Sequence, residues 1–106
     1  MASGITARDI EHYVALLNKA IGAPTEVYRR DDSGEYVRGE DNRLVQNPKT
    51  LCLDWAYGGV RLCSEAGARE LSGRMTKREM YQMLSAMWSL LRHIDPDGTM
   101  REEASR

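Results

Sequence analysis

The segment from Thr50 to Cys63 constrains the fold most, because it can be paired with itself residue by residue. If Tyr57-Gly58 is a two-residue loop, apolar residues oppose apolar residues and an acidic residue opposes a basic one. The opposed pairs are Ala56 with Gly59, Trp55 with Val60, Asp54 with Arg61, Leu53 with Leu62, and Cys52 with Cys63. Such matching is typical of an antiparallel hairpin, in which an opposite-charge pair contributes roughly 0.2–1 kcal/mol.

A second register of this hairpin uses Gly58-Gly59 as the loop, and both glycines tolerate the positive φ angles of a tight turn. It opposes Asp54 to Cys63, which is a poorer match. We therefore adopt the Tyr57-Gly58 loop. One face of the hairpin then carries Leu51, Leu53, Leu62, Trp55 and Val60, and the other carries Asp54, Arg61, Cys52 and Cys63.

Two amphipathic helices flank the hairpin, and each begins with the same capping pattern. Thr6 precedes Asp9 by three residues, and Thr76 precedes Glu79 by three. In both pairs the side chains can cap each other's backbone amides. Apolar residues recur at three- and four-residue steps after each cap. The pattern predicts helices over about residues 6–21 and 76–94.

The residues between the first helix and the hairpin have the composition of short strands separated by turns. The tetrapeptides at 31–34 and 39–42 favour turns, and Pro48 limits the segment before it to an edge strand or a loop. After the hairpin, residues 64–72 fit an edge strand or a short helix, and we expect a strand through 69–71. No internal repeat is evident.

These elements predict an α+β fold with the order helix, antiparallel meander of four to five short strands, helix. Both helices are expected on one face of the sheet. We assign residues 1–98 to a single domain and expect 99–106 to be a disordered tail, because Met100 is the only apolar anchor there. We find no membrane-spanning stretch or secretion signal, so we expect a cytoplasmic protein.

The hairpin and the start of the second helix resemble a group of small uncharacterised proteins carried by bacterial phages, prophages and other mobile elements. The similar segments are Leu53-Asp54-x-Ala56-Tyr57-Gly58-Gly59-x-x-Leu62 and Thr76-Lys77-Arg78-Glu79-Met80-Tyr81. The order of elements is also similar, except that residues 34–49 are longer than in that group. The resemblance implies a phage or mobile-element setting and supplies neither an activity nor catalytic residues.

Composition narrows the classes of function. Fifteen basic residues against sixteen acidic ones give a net charge of -1. The chain therefore lacks the positive field that most nucleic-acid-binding proteins carry. We expect no metal site and no cofactor, because the chain has two cysteines and two distant histidines and no phosphate-binding or zinc motif.

A small enzyme is another class of function that we consider. It would use Asp54 or Cys63, for instance together with His93. The simpler interpretation is that Cys52 and Cys63 are reduced thiols facing each other across the hairpin. A disulfide between them is geometrically feasible but would rarely persist in a reducing cytoplasm.

Two clusters are candidates for binding. Aromatic residues beside glycines at the hairpin tip have the composition of a protein-binding loop, although Trp55 could instead pack under the helices. Basic residues near the second helix could bind a phosphate or an acidic partner, although Glu70 and Glu79 could simply neutralise them. The first cluster is Trp55, Tyr57, Gly58 and Gly59; the second is Arg69, Arg74, Lys77 and Arg78.

The second helix carries more apolar surface than one face needs. Its stripe consists of Met80, Met83, Leu84, Met87, Leu91 and Ile94, with Trp88 and Leu90 outside it. A homodimer through this helix, or through the outer sheet face, would cover the excess. The sequence thus favours a non-enzymatic accessory protein that binds a host or phage protein. A nucleic-acid-binding module is the main alternative.

Overall fold

The computed structural model describes residues 4–98, so the tail predicted at 99–106 lies outside the described residues. Two helices accompany an antiparallel sheet with the strand order β1-β2-β3, and a short 3-10 turn, Glu65–Gly67, joins β2 to β3. The elements are α1 (Ala7–Ile21), β1 (Cys52–Ala56), β2 (Gly59–Ser64), β3 (Arg69–Glu70) and α2 (Lys77–Ile94). The α+β class is confirmed.

Both helices begin where their caps predict. The Thr6 hydroxyl accepts a hydrogen bond from the Asp9 amide, and the Asp9 carboxylate accepts one from the Thr6 amide. Thr76 and Glu79 make the same reciprocal pair at the start of α2. Each box satisfies backbone amides that the first helical turn leaves without partners.

The hairpin has the register that its side-chain pairs predict. Cys52 opposes Cys63, Asp54 opposes Arg61, and Ala56 opposes Gly59, so Tyr57-Gly58 is the loop. The register with Gly58-Gly59 as the loop is wrong. The matched cross-strand pairs determine the register, because a shift by one residue would move every side chain of the shifted strand to the opposite face.

The core lies between the two helices and β2. Val60 and Leu62 project from one face of β2 and pack with residues of both helices. The buried members of this cluster are Ile10, Val14, Leu17, Val60, Leu62, Met80 and Leu84. The second helix therefore buries Met80 and Leu84, whereas Leu90 and Ile94 stay 59% exposed.

The two helices run in the same direction. The Tyr13 ring contacts the Tyr81 ring edge-on at 5.2 Å between centroids. Further along both helices, Ala20 and Leu91 line one cavity. Parallel neighbours require a long connection between them, and residues 22–76 provide it.

A buried polar residue ties the first helix to the sheet. The Asn18 side chain, 2% exposed, donates to the Leu51 carbonyl oxygen at 3.1 Å and accepts from the Leu51 amide at 2.7 Å. The adjacent Thr50 hydroxyl donates to the Pro24 carbonyl oxygen at 2.7 Å. These bonds fix the entry of β1 to the end of α1.

Residues 27–49, which we call the ring, form a closed arrangement that contains the turns at 31–34 and 39–42. The amides of Arg29, Val37 and Val45 donate in a cycle to the carbonyl oxygens of Val45, Arg29 and Val37. A second set joins Asp31 to Glu35, Gly39 to Arg43, and Asn47 to Val27. Both sets repeat every eight residues, and the last bond, from Asn47 to Val27 at 2.7 Å, closes the cycle.

The structure of the ring differs from two of our expectations, the number of strands and the absence of an internal repeat. The turns at 31–34 and 39–42 are confirmed by the bonds from Gly34 to Asp31 and from Asn42 to Gly39. The segments between them do not add strands to the sheet, because each makes isolated bridges within the ring. The described sheet therefore has three strands, not four to five. The eight-residue period is an internal repeat that the sequence analysis missed.

Candidate functional site

The tip of the hairpin, formed by Trp55, Tyr57, Gly58 and Gly59, presents aromatic side chains to solvent. Tyr57 is fully exposed, whereas Trp55 is 39% exposed and lines an open cavity with Val14 and Ala15 of α1. Gly58 and Gly59 have φ angles of 100° and 128°, which residues with a side chain rarely adopt. The tip is therefore a narrow turn from which Tyr57 projects, with the partly exposed Trp55 beside it.

The two glycines have different roles. Nothing lies within 4 Å of a Cβ placed on Gly58, whereas a Cβ on Gly59 would overlap the Met75 carbonyl group. Met75 is that close because it exchanges two backbone hydrogen bonds with Val60, at 2.9 and 3.0 Å. Gly59 thus permits the segment before α2 to lie against the hairpin, while Gly58 serves the turn.

An arginine-carboxylate cluster, composed of Asp54, Arg61 and Arg74, holds the base of the tip. One Asp54 carboxylate oxygen accepts from Arg61 Nε and from Arg74 Nη2, both at 2.7 Å. Arg74 Nη1 also donates to the carbonyl oxygens of Asp54 and Gly59, at 2.9 and 3.2 Å. Arg74 therefore joins both strands of the hairpin to the approach to α2.

The cluster keeps its carboxylate ionised. Hydrogen bonds from Arg61 and then Arg74 hold the pKa of the Asp54 carboxyl below its ordinary value. The Asp54 carboxylate in turn raises the pKa of the Arg61 guanidinium. A carboxylate with a lowered pKa is a weak base near neutral pH, so these contacts suit Asp54 to a positional role.

The two thiols face each other behind the cluster. Cys52 Sγ lies 3.2 Å from Cys63 Sγ, and the structure records both cysteines as free. Burial, followed by the hydrogen bond with Cys52, raises the pKa of the Cys63 thiol to about 12. A thiol with such a pKa is protonated near neutral pH and is therefore a poor nucleophile.

The catalytic grouping that we considered is not assembled. Asp54 and Cys63 line one open cavity, together with Val27, Cys52, Leu53, Arg61, Ala66 and Gly67. His93 does not line it; this residue is exposed in the last turn of α2. Among residues 4–98, no three His, Cys, Asp or Glu side chains are placed to hold a metal ion.

The residues of the predicted basic cluster have different surroundings. All four residues are exposed, and Arg74 is bound to Asp54. The Thr76 amide at the start of α2 already donates to the Glu79 carboxylate, and hydrogen bonds with Thr76 lower the pKa of Glu79. An incoming anion would have to compete with this carboxylate.

A cavity of about 310 Å³ between the ends of the helices had no counterpart in our sequence analysis. Its apolar walls are Leu16, Ala20, Trp88 and Leu91, and charged residues such as Lys19 and Arg92 surround them. The sequence feature that indicated this cavity was the position of Trp88, which lies beside rather than within the apolar stripe of α2.

Neither helix within residues 4–98 has the length and apolar character required to cross a membrane. Comparison of the chain with protein-family models, curated proteins and solved structures finds no significant match.

Proposed function

We propose that this protein acts by binding another protein through the tip of its hairpin, without catalysing a reaction. The observation that carries the proposal is the exposure of Tyr57 and Trp55 on a turn held by the Asp54 cluster. Aromatic residues with a polar end are enriched at protein interfaces, where they contribute large contact areas.

The fixed geometry of the tip favours recognition. Arg74 bonds to Asp54 and to Gly59, and Met75 pairs with Val60. A loop that is ordered before binding loses less conformational entropy when its partner arrives. A well-supported aromatic tip therefore suits a recognition element.

Charge supports a protein partner over a nucleic acid. The net charge is -1, and Arg74, one of four basic candidates, is bound to Asp54. Three exposed basic residues, Arg69, Lys77 and Arg78, would have to provide the contacts to phosphate. The resemblance to phage and mobile-element proteins favours an accessory role, with a host or phage protein as the partner in the bacterial cytoplasm.

The test is an affinity capture from bacterial lysate with matched variants. The tagged protein, Tyr57→Ser and the control Tyr28→Ser are compared, each with and without nuclease. Tyr28 is a suitable control because it is 38% exposed and lies in the ring. We expect a stoichiometric protein to be retained by the wild type and by Tyr28→Ser and lost with Tyr57→Ser.

Two results would contradict this proposal. Equal retention by Tyr57→Ser would show that the tip is not the binding element. Loss of the partner after nuclease treatment would favour the nucleic-acid alternative, which also requires affinity to fall steeply with salt. Arg78→Ala would then be the informative variant.

A further inference from the structure

We propose that Cys52 and Cys63 form a reversible dithiol–disulfide site that is oxidised by small-molecule disulfides. The two residues are directly opposed in the hairpin register, and their sulfur atoms are 3.2 Å apart. They are the only cysteines in the chain. The site lies on the opposite face of the hairpin from the helices and is independent of the proposed binding function.

The backbone geometry permits the bond. Val60 exchanges backbone bonds with Met75, so its own amide and carbonyl point away from β1. Alternation along the strand then makes Cys52 and Cys63 a hydrogen-bonded pair, for which the Cα atoms are about 5.5 Å apart. Disulfides span about 4.4–6.8 Å between Cα atoms, so the sulfurs can meet without displacement of the strands.

The two thiols differ in access. Cys52 is partly exposed, whereas Cys63, which lines the same open cavity, is only 1% exposed and lies against the Cys52 carbonyl oxygen at 3.4 Å. A small disulfide can therefore reach Cys52 more readily than Cys63. The accessible thiol is the attacking group, and the buried thiol completes the reaction.

The reaction is a pair of thiol–disulfide exchanges. The Cys52 thiolate attacks one sulfur of the small disulfide, forms a mixed disulfide and releases one small thiol. Cys63 then loses its proton and attacks Cys52 Sγ, which forms the internal disulfide and displaces the second small thiol. The protein loses two electrons and two protons, and the small disulfide is reduced to two thiols.

The internal disulfide would link β1 to β2 at the end of the hairpin away from Tyr57. Burial and the raised pKa of Cys63 make its deprotonation unfavourable, so we expect the second exchange to be slower and to accelerate as the pH rises. Such a bond would form under oxidising conditions and open again in a reducing cytoplasm, as cytosolic regulatory disulfides do.

The experiment treats the folded protein with oxidised glutathione, alkylates the remaining thiols with iodoacetamide and measures the intact mass. We expect the wild type to lose two hydrogens and to incorporate no alkyl group. Cys63→Ser should accumulate one glutathione adduct, and Cys52→Ser should remain unmodified. Circular dichroism confirms that each variant is folded, and Cys63→Ala replaces Cys63→Ser if the serine variant is not.

Three outcomes would overturn the proposal. The wild type could end as a stable glutathione adduct, as a disulfide-linked dimer, or as an unoxidised protein that forms the disulfide only in denaturant. A second measurement follows the same species against defined ratios of reduced to oxidised glutathione. Reversible titration supports the proposal, whereas a bond that resists reduction by glutathione contradicts its reversibility.

Discussion

The ring and the rest of the described chain, which we call the body, reach an ordered structure in different ways. None of residues 27–49 is buried, and the ring is held by backbone hydrogen bonds that repeat every eight residues. The body places its apolar cluster between the helices and β2. Burial stabilises the body, whereas turn geometry and local bonds define the ring.

The two regions are expected to contribute unequally to the stability of the molecule. Each fully buried aliphatic side chain contributes about 1.5–3 kcal/mol relative to an exposed one, whereas a typical hydrogen bond contributes a net ~1 kcal/mol. We therefore expect changes in the body to alter global unfolding and changes in the ring to alter local opening. Four predictions, in order of decreasing effect on unfolding, test this expectation.

The largest loss is expected for Leu84→Ala. Leu84 is fully buried in the core cluster, and truncation of such a residue costs about 2–5 kcal/mol because a cavity remains. Urea unfolding at equilibrium measures the loss. Val37→Ala in the ring is the matched control, because Val37 is only half-buried. Similar losses for both variants would show that the ring and the body form one cooperative core.

The second prediction compares two neighbouring glycines. Gly59→Ala should destabilise the protein more than Gly58→Ala, although both residues have positive φ angles. A methyl group on Gly59 overlaps the Met75 carbonyl, whereas Gly58 faces open space, so only the first variant must separate the hairpin from the segment before α2. Thermal unfolding of both variants measures the difference, and equal melting temperatures would contradict the close approach.

The third prediction concerns two carboxylates with lowered pKa values, Asp54 in the body and Asp31 in the ring. Hydrogen bonds from Arg61 lower the pKa of Asp54, and those from Ser33 lower the pKa of Asp31. Both contributions are present above the unfolded pKa and are lost as the pH falls through the folded pKa. Asp54→Asn should therefore reduce the acid-induced loss of global stability.

The measurement is urea unfolding at about pH 7 and about pH 3. We expect the stability difference between these conditions to shrink for Asp54→Asn and to change less for Asp31→Asn, because the Asp31 bonds stay within the ring. A larger change for Asp31→Asn would show that the ring contributes more to global stability than the Asp54 cluster does.

The smallest global effect is expected for Gly34→Ala. Gly34 occupies a turn of the ring with a φ angle of 88°, and alanine at such a position is strained. Amide hydrogen exchange should accelerate at Val37 and Val45 and remain unchanged at Val60. Asn42→Gly, at the position eight residues later with a φ angle of 64°, should leave these rates near the wild type. Faster exchange at Val60 would mean that the ring and the sheet open together.

Features governed by local rules could be predicted from the sequence. The capping boxes at Thr6 and Thr76 and the pairing of Asp54 with Arg61 depend on residues three to seven positions apart. The bond from Arg74 to Asp54 could not be predicted in the same way. It joins residues twenty positions apart and depends on how the approach to α2 lies against the hairpin.

The eight-residue period of the ring was not predicted from the sequence for a different reason. Its period is carried by the backbone, and the residue types repeat only in part, as with Tyr28, Tyr36 and Leu44. Hydrophobic periodicity does not detect such a pattern, because no face is buried. The signal available in the sequence was the spacing of Gly34 and Asn42, which stand eight residues apart and belong to the residue types that tolerate positive φ angles.

The closure of the ring has an architectural consequence. Its first and last residues meet through the bond from Asn47 to Val27, and just outside it the Thr50 hydroxyl bonds to Pro24. The chain therefore leaves the ring close to the point at which it entered, as in domains that accept insertions between adjacent termini. The ring has the geometry of an exchangeable cassette, which a short linker between Pro24 and Thr50 could replace while α1 and β1 keep their relative positions.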